Sequence, residues 1–176
     1  MSDYYAPSGG LPPQTALHTG RAVFTEAYCV IPRGCFSDIV TSYLPGWAKT
    51  KAWLIARPMS GFSETFSQYV MEVEPGGGSE APEPDTGAEG VIFVTGGEIW
   101  LRLGDKEHDL GPGGYAYVAP GTDWQVHNGT DHPARFHWVR KLYEPAPGIA
   151  TPACFVTSDQ AVAPVAMPDT GGTWAT

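Results

Sequence analysis

Cysteine is scarce in this chain. Its 176 residues hold three, Cys29, Cys35 and Cys154, an odd number with no C-x-x-C pair. That spacing argues against a disulfide framework or a zinc knuckle and fits reduced thiols in a cytoplasmic protein. Basic residues are also few: 10 Lys and Arg stand against 19 Asp and Glu, for a formal net charge of -9. A surface this acidic repels phosphate backbones, so nucleic acid is not an expected partner. No apolar run approaches the ~20 residues that a membrane-spanning helix needs. Met1 to Gln14 is small and polar, without the basic-then-apolar order of a signal peptide. The expectation is a cytoplasmic protein with no membrane partner. Also missing are a nucleotide-binding glycine fingerprint, a P-loop, H-E-x-x-H and G-x-S-x-G. No segment carries a convincing amphipathic helix period.

Turn residues are abundant, with 22 Gly and 17 Pro, and no Gly-X-Y period orders them. Between them lie short strand-like runs, several of them β-branched or aromatic: Arg21–Phe24, Tyr28–Ile31, Asp38–Leu44, Ala52–Arg57, Phe66–Glu74, Val91–Thr95, Glu98–Leu103, Lys106–Leu110, Tyr115–Val118, Asp123–His127 and Ala134–Leu142. Pro75 to Gly78 predicts a break, and Gly96-Gly97 a two-residue hairpin. Roughly ten short strands at regular spacing predict an all-β sandwich or barrel. Residues 1–19 read as an irregular arm, 20–147 as the barrel with its preceding edge strands, and 148–176 as a Pro-rich linker or wrapping tail.

The chemistry-bearing spacing lies between Gly77 and Gly129. Gly77 is followed by Glu83-x-Asp85, then Glu89, then Gly96. Gly114 precedes Pro120, with Thr122, Gln125 and Gly129 beyond it and Asn128 one residue early. These intervals resemble the two motifs of the cupin barrel, a jelly roll or double-stranded β-helix. In those motifs Gly-x5-His-x-His-x3-4-Glu-x6-Gly is followed by Gly-x5-Pro-x-Gly-x2-His-x3-Asn. The spacing matches and the ligand types do not. Alternate strand residues share a face, so Glu83, Asp85, Glu89 and Gln125 are the candidate positions of a vestigial metal site. An all-oxygen set favours a hard cation such as manganese, magnesium or calcium. Pro82 and Pro84 flank Glu83, however, which suits a solvated loop whose carboxylates hold no ion. His127 and Arg140 are candidates to line the same cavity.

The chain also resembles the N-terminal half of the (S)-ureidoglycine aminohydrolases, two-cupin enzymes of allantoin breakdown. The resemblance rests on Gly20-Arg21-Ala22-Val23, Tyr28-Cys29-Val30-Ile31-Pro32, Gly90 to Gly97, Gly113 to Gly121, and Val139 to Pro145. It implies a manganese-dependent hydrolysis that releases ammonia from ureidoglycine and gives ureidoglycolate. It places the metal ligands, Glu-x-His-x3-His plus Gln, in a C-terminal cupin beyond Thr176. By that resemblance this half holds no catalytic residue and no cofactor. Its partners are then its own C-terminal cupin, further copies in a homo-oligomer, and a small ureido or carboxylate substrate. A metal-free ligand-binding module and a purely structural barrel are the competing expectations.

Overall fold

The computed structural model describes residues 23–24, 28–31, 44–56, 65–163, 165–166 and 173–174. Among them every regular element but one is a strand: β1 (Val23–Phe24), β2 (Cys29–Val30), β3 (Ala48–Ala56), β4 (Ser67–Ser79), β5 (Ala88–Gly96), β6 (Ile99–Leu103), β7 (Lys106–Leu110), β8 (Gly114–Val118), β9 (Trp124–His127), β10 (Ala134–Leu142), β11 (Phe155–Ser158), β12 (Val165–Ala166) and β13 (Thr173–Trp174). The exception is a 3-10 turn at Asp159–Ala161. No helix among the described residues is long and apolar enough to cross a membrane. The strand expected at Asp38–Leu44 lies outside the described residues except for Leu44.

Nine strands form one antiparallel sheet in the order β11-β8-β5-β10-β4-β9-β6-β7, with β3 also on β4. The sheet curls around a single core, because alternate residues of each strand must leave water. In β5, Ala88, Gly90, Ile92 and Val94 are buried, and in β6, Ile99, Leu101 and Leu103. Met71, Val73, Val126 and Phe136 complete the innermost layer. The all-β barrel read from the turn spacing is the observed architecture. Within the C-terminal stretch, β11 pairs with β8 from Phe155↔Tyr117 to Ser158↔Gly114.

Two glycine segments behave differently from their local signals. Pro75 to Gly78 does not end β4. The strand pairs with β10 over Ser67–Val73 and then passes to β9 at Gly78↔His127 and Ser79↔Val126. This crossing joins the two walls of the barrel. Asn128 N–H donates to the Gly77 carbonyl (3.0 Å), and Gly76 N–H donates to the Asn128 carbonyl (2.8 Å). Gly96-Gly97 likewise links walls: β5 pairs with β8 and β10, whereas β6 pairs with β7 and β9. The tight hairpin is β6–β7, turned at Gly104-Asp105.

One carboxylate on the outer face is nearly dry. The Glu72 side chain is 8% exposed between Lys51 Nζ at 2.8 Å and Arg135 Nη2 at 2.6 Å. Burial pushes its pKa up, but hydrogen bonds from Lys51 and Arg135 outweigh that and hold it below the ordinary 4.5. A depressed native value contributes stability above the unfolded pKa and loses it as pH falls through the native one. Glu72→Gln is therefore expected to cost about 2 kcal/mol at pH 7, since both cations are half-exposed. Urea melts from pH 7 to pH 3 should show the difference from wild type shrinking on acidification. A constant difference would contradict the ion-pair account.

Candidate functional site

The barrel mouth holds an open cleft of about 280 Å³, with the loop from Glu80 to Gly87 as one side and Trp124 and Trp138 on its inner side. Hydrogen bonds to backbone groups fix that loop. Ser79 Oγ donates to Gly46 O (2.7 Å) and Gly121 N–H to Thr86 O (2.7 Å), while Asp85 Oδ1 accepts from Gly87 N–H (2.9 Å). Trp47 Nε1 donates to the Pro82 carbonyl (3.4 Å), so even the proline-bounded stretch is tied to the core.

Glu83 is the most constrained side chain of the loop. Arg140 donates to both of its oxygens, Nε to Oε2 and Nη2 to Oε1, and Asp85 N–H adds a third bond to Oε1 (2.9 Å). Both partners are largely buried, at 10% exposure for the Glu83 side chain and 24% for that of Arg140. Arg140 continues the inward row of β10 after Phe136 and Trp138. Its guanidinium carbon lies 5.9 Å from the centroid of the Trp138 ring. Burial opposes the arginine charge, but Glu83 outweighs it and raises the pKa, with Tyr69 and Asp85 adding to the effect.

The other candidates separate. Asp85 lines the cleft beside Glu83. Glu89 reaches its rim, but it belongs to the outward row of β5, and its Oε2 accepts the Tyr117 hydroxyl at 2.7 Å. Burial and then Glu89 push the Tyr117 pKa up, so the phenol stays a donor. Gln125 and His127 do not line the cleft, because β9 turns Trp124 and Val126 inward and these two outward. His127 Nε2 instead meets Glu80 Oε1 at 2.7 Å, with its ring 5.7 Å from Trp100. Of the six candidates, the structure thus brings Glu83, Asp85 and Arg140 near one another, although Arg140, expected to line the cleft, reaches Glu83 without lining it.

The register of the second motif explains the place of Gln125. Asn128 is fully buried; its Nδ2 donates to Val73 O (2.8 Å) and His132 O (2.7 Å), and its Oδ1 accepts from Thr130 N–H and Oγ1. Asn128 is therefore the motif's asparagine, and counting back puts Trp124 at the histidine position. Arg102 and Asp123 also line the cleft and were not singled out from the sequence. Arg102 lies on β6 and Asp123 just before β9, and neither position carries a signal that separates it from a surface charge.

Do these residues fit the metal that cupins commonly hold? Both Glu83 oxygens are committed to N–H donors, Glu89 faces away, and an indole stands at the last ligand position. The donor set does not fit a transition metal, which takes imidazole and carboxylate ligands converging on one point. Among the described residues no three His, Cys, Asp or Glu side chains are grouped to hold an ion.

Comparison with known proteins agrees with this geometry at the level of fold. Residues 69–140 match the Cupin_2 cupin-domain family. This stretch, from β4 to β10, is a cupin domain. The chain is 26% identical over 112 residues to the (S)-ureidoglycine aminohydrolase of Escherichia coli K12, an alignment covering 64% of this chain and 42% of that protein. A solved Pseudomonas aeruginosa protein described as glyoxylate-induced superposes with a TM-score of 0.80 at 52% identity, over 97% of this chain and 61% of that one. The E. coli protein YlbA superposes with a TM-score of 0.75 at 20% identity, over 88% of this chain and 62% of that one, and shows the shared fold. The chain thus spans less than two thirds of each relative's length.

Proposed function

We propose that this chain is the N-terminal barrel of a two-cupin enzyme of the (S)-ureidoglycine aminohydrolase type, and that it serves there as scaffold rather than as the reaction site. In the proposed reaction water replaces the amine of ureidoglycine, giving ureidoglycolate and ammonia. The observation that carries the reading is the state of the barrel mouth. The position where a cupin would gather a metal is taken by the Glu83–Arg140 pair over Trp138, with Trp124 beside it. The metal-dependent step is accordingly assigned to a second barrel.

Two further observations support this reading. The relatives are longer than this chain, which leaves room in them for another domain. Large apolar side chains also stand exposed along the C-terminal stretch, at Leu142, Ile149, Phe155 and Val165, as expected where another body packs. The description of the P. aeruginosa relative as glyoxylate-induced is in keeping with the chemistry, since ureidoglycolate is the adduct of urea and glyoxylate. An ammonia-release assay tests the proposal. Residues 1–176 with added manganese should not turn over ureidoglycine, and a polypeptide extending into a second, imidazole-bearing cupin should. Turnover by residues 1–176 alone would overturn it.

A further inference from the structure

Glu83 and Asp85 keep the spacing of the first two cupin ligands and both line the cleft. Asp85 is exposed, but the Glu83 side chain is only 10% exposed and needs positive charge close by, because burial makes an uncompensated charge costly. Arg140 supplies it from the inward row of β10, 57 residues along the chain from Glu83. Its planar fork engages both Glu83 oxygens, and its face lies toward Trp138.

We infer that Arg140 is the built-in cation of this site, and that its guanidinium does for Glu83 the charge-balancing work that a divalent metal does in a metal-holding cupin. A guanidinium has five N–H donors and no site for an incoming ligand. It cannot exchange a carboxylate for substrate or acidify a bound water. The barrel therefore keeps the motif's geometry and the closure of the 80–87 loop without the motif's reactivity. This inference stands on the ion pair itself and does not depend on the two-barrel reading.

Thermal melts of the full 176-residue chain test it in both directions. Wild-type protein, freed of metal by chelation, should melt at the same temperature with or without millimolar MnCl2 or CaCl2. Arg140→Met leaves the buried Glu83 carboxylate without its paired cation. It should melt lower and regain at least half of the loss on adding either cation. Glu83→Ala opens a carboxylate-sized space beside a freed guanidinium. Its lowered melting temperature should rise with formate or acetate and not with chloride at equal ionic strength, so this arm decides the matter if Arg140→Met does not fold. A manganese-stabilised wild type would overturn the inference, as would a folded Arg140→Met indifferent to both cations or a Glu83→Ala indifferent to carboxylates.

Discussion

Gly78→Ala is expected to abolish the fold, with a loss of more than ~4 kcal/mol. Gly78 has φ +138°, a conformation that L side chains rarely adopt. A Cβ there would collide with the Val126 carbonyl and come within 2.9 Å of His127 Cα. Both obstacles are backbone, so no rotamer change relieves them. They lie on β9 at the point where β4 crosses from one wall to the other, and moving them would open the barrel. Gly96→Ala is the control. An added Cβ there meets nothing within 4 Å, and the change should stay within about 0.5 kcal/mol of wild type. Soluble yield and urea melts of the two variants check the contrast. A Gly78→Ala protein that melts like wild type would contradict the crossing described here.

Asn128→Ala should cost roughly 3–5 kcal/mol, summed over its buried hydrogen bonds. The side chain is 0% exposed and ties the β9–β10 turn, through Thr130 and His132, to Val73 on β4. Its loss takes a donor from the carbonyl of Val73, a residue with no exposed surface, and the acceptor from Thr130 N–H, while the Thr130 hydroxyl keeps the His132 carbonyl. Thr130→Val removes the hydroxyl alone and should cost about 1 kcal/mol. Urea denaturation measures both. Equal, small losses would mean that Asn128 is not the anchor of the second motif. The anchor matters for the site because this turn sets the start of β10, and β10 carries Trp138 and Arg140 to the barrel mouth.

What the sequence made legible follows from period and locality. The apolar, β-branched run Val91–Thr95 and its neighbours at regular spacing between turn residues are written in the sequence, and the all-β barrel follows from them. Pro75 to Gly78 misled because glycine is a local turn signal, whereas Gly77 and Gly78 answer a tertiary demand: close passage of the β3, β4 and β9 backbones. Gln125 misled through register. Counted from Gly114 it stands at the ligand position, but counted from the buried Asn128 it is one residue off, and in a strand one residue reverses the face. Glu83 and Arg140 were each conspicuous as single residues. Their pairing was not, because nothing local links partners 57 positions apart.

The central claim is that the cation of this barrel is part of its own chain. Its most direct test is a calorimetric titration of the chelator-treated wild-type chain with manganese, followed by metal analysis of the desalted protein. The account predicts no saturable heat at micromolar manganese and far less than one manganese per chain after desalting. One tightly bound manganese per chain, lost in Glu83→Gln, would contradict it.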